Sequence, residues 1–204
     1  MMIVIRNAPP PTMTRTLSRK EATHERIVDV AARAIRRSGY AGTGVADLMK
    51  EAGLTHGGFY AHFESRDALL AEAADRAGAQ GVEDLSRIAA EAPAGDALNT
   101  LLRAYLSREH VAQAELGCPV VALGSEMPRQ APEVRAAATR RIKELIDLIG
   151  RQSPHWGQPA AHQNALFTVA AMVGALTIAR AVDDPKLSDA MRHAALAGLG
   201  VPRR

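Results

Sequence analysis

An all-α fold is predicted for this chain by three features of its sequence. Its apolar residues make up 47% of the 204 and are mostly alanine, leucine and valine, while aromatics account for 3%. Such a composition suits packed helices better than sheets, which draw on β-branched and aromatic side chains. Between successive Gly and Pro breaks, apolar residues recur at i, i+3, i+4 and i+7, the period of one helix face. No stretch alternates apolar and polar residues over the length of a strand, and no internal repeat is present.

The elements follow in order. Residues 1–17 carry Pro9, Pro10 and Pro11 with Arg6 and Arg15 and show no apolar period, so they read as a flexible basic arm, with Met13 an alternative start. Helical structure is expected from Ser18, because Ser18-Arg19-Lys20-Glu21 is a capping box. Ile27, Val30, Ala31, Ala34 and Ile35 form the stripe of the first helix, and Gly39 stops it. After Gly42-Thr43-Gly44 a short helix is expected from Val45 to Ala52, closed by Gly53, and Thr55 then caps a second short helix. Ser65 caps a long helix with apolar positions 70, 74, 77, 81, 85 and 88, which Gly78 and Gly81 are expected to bend and Pro93-Ala94-Gly95 to end. Leu98, Leu101, Leu102, Tyr105 and Leu106 define a further helix. Gly117-Cys118-Pro119 opens a short one limited by Pro128, and Pro132 to Gly150 forms the next. Past the Pro154–Pro159 loop, Ala160 to Val182 is apolar nearly all round, so it is expected to be buried on more than one side and to meet a second subunit. A last helix is expected from near Ser188 to Leu199.

Length favours one compact body with a small appended head. The net charge of +3 is uneven: residues 1–63 hold nine Lys/Arg against five Asp/Glu, and 64–204 hold sixteen against seventeen. A basic head is the electrostatic footprint of nucleic-acid binding. The single cysteine, Cys118, excludes an internal disulfide and fits a reducing cytoplasm. The run Met2 to Ile5 is too short for a signal or a membrane span, so a cytoplasmic protein without a membrane partner is expected.

Two short helices joined through Gly53, with Leu48, Ala52, Leu54, Phe59 and Phe63 spaced to face one another, make a helix-turn-helix or an ordinary αα-corner. Met49 stands where such corners often carry a small residue. The run Gly44 to Leu70, GVADLMKEAGLTHGGFYAHFESRDALL, closely resembles the DNA-binding head of TetR-family transcriptional regulators. The resemblance extends back through the first helix and, more loosely, forward through GCPVVALGSE and GALTIARAVDDPKLSDAM. It implies a three-helix DNA-binding head at 18–63 and a helical ligand-binding and dimerisation bundle at 64–204. It further implies a homodimeric, ligand-responsive repressor, with effector binding swinging the helix that begins at Ser65. A palindromic double-stranded operator and a small-molecule effector are the implied partners, and no cofactor or metal is implied. By the same resemblance Thr43, Thr55, Tyr60, His62 and Arg66 contact phosphates and His56, Gly57 and Gly58 face base edges. Where many relatives have a lysine near 56 or 64, this chain has His56 and Glu64. Affinity is therefore expected to rise as pH falls toward 6.

In the body, Leu102, Tyr105, Cys118, Val121, Met127, Phe167 and Met172 are candidates to touch the effector, core packing being the alternative for each. Cys118, at a helix start, is either a thiolate sensor or a small buried hydrophobe. Trp156 is a lid or a plug. His62-x-Glu64 lacks the PCxxC of a zinc deaminase, His155 and His162 have no cysteine partner, and no nucleophile elbow or phosphate-cradling loop is present. A helical enzyme, or an adaptor using the head for protein contacts, is the competing reading.

Overall fold

The computed structural model describes residues 17–153 and 155–202, and it is helical throughout, with no strand among them. The expected arm lies outside the described residues apart from Leu17. Helix α1, Arg19–Ser38, opens on the expected capping box: the Ser18 hydroxyl accepts from the Glu21 amide while the Glu21 carboxylate accepts from the Ser18 amide. Its stripe is fully buried, and Gly39 ends it at φ +74°. That left-handed turn suits glycine, and a Cβ there would lie 2.2 Å from a Glu126 carboxylate oxygen.

Helix α2, Val45–Glu51, is followed by a second left-handed glycine, Gly53 at φ +72°. The next element departs from expectation. Residues His56–Ala61 form a six-residue 3-10 helix, and Thr55 is its extended N-cap without a side-chain cap bond. Gly58 N–H donates to Thr55 O at 3.0 Å and His62 N–H to Phe59 O at 2.9 Å. With Gly57 and Gly58 supplying little α preference and only six residues available, the tighter i to i+3 turn is the physical outcome.

Helix α3, Arg66–Glu91, runs unbroken through Gly78 and Gly81. Gly78 serves contact between helices: a Cβ there would meet Arg141 Cβ at 2.4 Å, so its absence lets α3 lie close against α7, Pro132–Gly150. Between them in sequence come α4, Ala97–Tyr105, then α5, Arg108–Ala112, which the sequence reading missed, and α6, Pro119–Leu123. Ser107 was the available signal for α5, since its hydroxyl accepts from the His110 amide. Helices α8, Pro159–Ala181, and α9, Pro185–Gly198, complete the body. Helix α9 starts three residues before the expected point because the Asp184 carboxylate accepts from Lys186 N and Leu187 N, with Pro185 in the first turn.

Two apolar cores result. One joins Ile27, Ile35, Leu48, Met49, Phe59 and Phe63 to Leu69, Leu70 and Ala77 of α3 and to Leu123, Val134 and Ala137 beyond it. The other lies among α3, α4, α7, α8 and Val201. Helix α3 therefore belongs to both cores and runs from head to body.

Candidate nucleic-acid interface

Phe59 and Phe63 anchor the 3-10 turn from below, at 2% and 4% exposure, with their rings 5.6 Å apart and His24 stacked on Phe63 at 4.5 Å. Met49, fully buried, fills the corner beneath Gly58. Removing the Phe59 ring should cost about 3–5 kcal/mol of stability, as for other buried aromatics. Chemical denaturation of Phe59→Ala measures it, and a loss under ~1 kcal/mol would mean that the ring does not hold the turn.

On the outer side the turn presents Thr55, His56, Gly57 and Tyr60, all exposed. Tyr60 is 74% exposed, edge-on to Phe59 at 5.2 Å. Such an aromatic has no packing reason to be there and offers a hydroxyl to a partner. At Gly57 an added Cβ would meet nothing within 4 Å, and at Gly58 it would meet Met49 Cε at 3.7 Å and Thr55 Oγ1 at 3.9 Å, an ordinary contact. Neither glycine has a positive φ. The fold thus leaves room for side chains at both positions.

The remaining predicted contacts are placed differently. Thr43 is 4% exposed and its hydroxyl donates inward to Gly39 O at 2.6 Å, so its side chain is committed to the turn. The Arg66 guanidinium donates to Tyr40 O and Thr43 O, clasping the start of α3 to the turn between α1 and α2. His62 is half-buried with Nδ1 unpartnered. Burial, then neighbouring His24 and Lys20, hold its pKa below the usual histidine range. Thr55, His56, Gly57, Gly58 and Tyr60 are thus brought together on one edge, while Thr43 and Arg66 act inside the head.

A cavity of about 310 Å³ opens in the body, lined by α3, α4, α7 and the segment from Ser107 to Val120. Tyr105, Cys118 and Met127 line it as expected; Leu102, Val121, Phe167 and Met172 do not. Leu102 and Met172 are core, at 1% and 0% exposure. Phe167 points outward at 64% exposure, because the buried stripe of α8 runs through Ala161, Ala165, Val169, Met172, Leu176 and Ala179, leaving 167 on the opposite face. The sequence reading missed Tyr40 and His110 in the lining. Cys118 is 8% exposed and its N–H donates to His110 Nε2 at 3.0 Å, while His110 Nδ1–H donates to Tyr105 O at 2.6 Å. Trp156 lies over Gly150, where a Cβ would approach its ring to 2.0 Å, so it plugs the end of α7.

Burial lowers the His110 pKa, the Tyr105 carbonyl pulls it up and Arg180 pushes it down again. With the native value below that of the unfolded chain, near 6.5, the unfolded state binds more protons as pH falls through that value. Stability is therefore expected to fall as pH drops from about 7 toward the native His110 value, with His62 contributing in the same direction. Melting curves at pH 7.5 and 5.5 test this, and a higher melting temperature at pH 5.5 would contradict it.

A helix-turn-helix on a basic head, carried by a long helix that runs into an all-helical body with its own cavity, defines a DNA-binding regulator. A family model described as "Bacterial regulatory proteins, tetR family" matches residues 27–73, which span α1, the helix-turn-helix and the start of α3. An "Uncharacterized HTH-type transcriptional regulator" of Mycobacterium tuberculosis is 31% identical over 171 residues, covering 78% of this chain and 85% of the relative. A Bacillus subtilis regulator of the same description is 37% identical over 51 residues, 25% of this chain and 18% of its own. The chain belongs to the TetR family of transcriptional regulators. Its fold is shared with reduced Escherichia coli NemR, at TM-score 0.74 and 21% identity over 90% of this chain and 100% of that one. A TetR-family regulator from Cytophaga hutchinsonii matches at TM-score 0.72 and 24% identity, over 93% of this chain and 100% of its own.

Proposed function

We propose that this regulator is a cytoplasmic, non-enzymatic repressor that binds a palindromic operator as a homodimer and is released by a small molecule bound in the body. The observation that carries the reading is the reach of α3. The cavity is lined by Ala74, Gly78, Val82, Leu85 and Ile88 of that helix, and its first residue, Arg66, grips the turn between α1 and α2. An occupant that shifts α3 carries the head with it, and a coupling of about 1–3 kcal/mol already changes affinity roughly 5- to 150-fold. On the head, Thr55, Tyr60 and His62 take phosphates while His56 and the backbone at Gly57 and Gly58 approach base edges.

Helix α8 supports the dimer. It is long and apolar enough, at mean hydropathy 1.5 over an 18-residue window, to cross a membrane by length and composition alone. It packs instead on α7 and α9 with one stripe buried, and exposes Leu166, Phe167 and Ile178 on the other side. A second copy covers that face, and the two-fold pair presents two heads to successive major grooves.

Fragments selected from genomic DNA by the purified protein, followed by anisotropy titrations at several salt concentrations, test the reading. Specific duplex binding that weakens with a log-log slope of about −0.9 per phosphate neutralised is expected. Binding insensitive to salt, or no selected fragment, would return the head to protein contacts. His56→Ala should relax specificity at the base edge it faces by about 1–3 kcal/mol, and unchanged specificity in that variant would remove His56 from the interface.

A further inference from the structure

One phenol hydroxyl indicates the kind of molecule that the body cavity takes. Tyr40 and Tyr105 both line the cavity and each is 1% exposed. The Tyr105 hydroxyl meets the Cys118 thiol, whereas the Tyr40 hydroxyl has no hydrogen-bond partner among the described residues. Buried polar groups are nearly always paired, and a buried O–H left without an acceptor is a standing cost to the fold.

The charged and imidazole groups of the lining are already committed. Both His110 ring nitrogens are used, by the Tyr105 carbonyl and the Cys118 amide. Arg141 is held by Asp75 and Glu144, and Arg87 by Asp84. Most of the rest is apolar, including Val82, Leu85, Ile88, Val120, Ile142 and Leu145.

The phenols stay protonated. Burial, with Glu126 nearby, pushes Tyr40 up to about 12, and burial with the Cys118 thiol raises Tyr105 well above the usual tyrosine value. Both are therefore donors at neutral pH. The charged group beside Tyr40 is the Glu126 carboxylate, whose Oε2 accepts from the Tyr40 and Ala41 amides. The lining carboxylates Asp84 and Glu109 are on exposed residues. Burial in a mostly apolar lining disfavours a charged ligand, and a neutral acceptor oxygen suits the free phenol donor.

We propose that the cavity takes a small, mostly apolar molecule bearing a neutral carbonyl oxygen, which accepts a hydrogen bond from the Tyr40 hydroxyl. This rests on the reading of the cavity as the effector site, and it adds the chemistry that the site selects.

Four probes on one skeleton test it by calorimetry on the full chain without DNA: 2-acetylnaphthalene, 2-naphthoate, 2-ethylnaphthalene and 2-(aminomethyl)naphthalene. The ketone is expected to bind about tenfold more tightly than the hydrocarbon, as a hydrogen bond to a buried donor allows, and the two charged probes more weakly than the ketone. In Tyr40→Phe the preference for the ketone should shrink toward unity, while hydrocarbon binding and melting temperature hold or rise, since the hydroxyl removed is unpaired; in Tyr105→Phe the preference should remain. Equal binding of ketone and hydrocarbon, tightest binding by a charged probe, or binding by none of the four overturns the proposal. So does a melting temperature that falls by several degrees in Tyr40→Phe, which would place that hydroxyl in a bond within the protein. Release of a selected DNA fragment, measured separately, distinguishes the two readings. Selective binding without release leaves the ligand chemistry standing and removes the effector role, whereas release by the hydrocarbon as readily as by the ketone does the reverse.

Discussion

Replacing Gly58 by leucine is expected to leave the protein folded and to reduce specific duplex binding by a factor of roughly 100 or more. The structural half of that expectation rests on space. A Cβ at Gly58 meets only ordinary contacts with Met49 and Thr55, one at Gly57 meets nothing within 4 Å, and neither residue uses a positive φ. The anchoring rings of Phe59 and Phe63 lie on the other side of the turn. Neither space nor backbone φ therefore requires these glycines. Gly57→Ala should even raise stability by about 0.4–1 kcal/mol, because it narrows the unfolded ensemble without native strain. The functional half rests on distance: a backbone without side chains can lie against a base edge, and a leucine there holds the turn off the groove. Discrimination of about 1–3 kcal/mol per well-formed base contact is at stake, together with the phosphate contacts that the same standoff breaks. Non-specific, salt-sensitive binding should survive, so the specificity ratio is the informative readout. Circular dichroism and melting of Gly58→Leu come first. Were the variant unfolded, or folded with unchanged specificity, the glycines would serve something other than clearance.

What could be read from the sequence divides along physical lines. Periodicity and caps are local, so α1 with its Ser18 box, the Ser65 start of α3 and the span of α7 were legible from residues a few positions apart. The same locality was incomplete at Thr55 and Gly57-Gly58, where a short helix capped by Thr55 was expected and an uncapped 3-10 helix forms, because the competing geometries differ by one hydrogen-bond register over six residues. Gly78 read only as a bend, and its role as a contact surface for Arg141 depends on a residue 63 positions away. Thr43 and Arg66 show the same limit at the site. Their residue types suit phosphate, yet one hydroxyl turns inward to Gly39 O and one guanidinium clasps the turn that the head is built on. The cavity was legible only in part, since Tyr40 and His110 reach it through tertiary packing that no spacing encodes.

Phe167→Asp should give a folded monomer with operator affinity lower by roughly 10²- to 10⁴-fold, the gain expected when two binding modules act as one. Phe167 was expected in the effector site because the TetR family places its effector between the middle helices. The structure separates those sides: the face of Ala161, Ala165, Val169, Met172, Leu176 and Ala179 is consumed within the chain, and Leu166, Phe167 and Ile178 remain at 44%, 64% and 45% exposure. Apolar side chains of that size exposed on one helix call for a cover, and a second copy is the cover that also supplies a second head. Placing a carboxylate at the most exposed of the three sets two like charges near a two-fold axis, with little cost to a monomer in which position 167 already faces water. Light scattering reads the assembly and anisotropy the affinity, and the two should fall together. A variant that stays dimeric would put the interface on another face, and a monomer that keeps full affinity would separate DNA binding from dimerisation altogether.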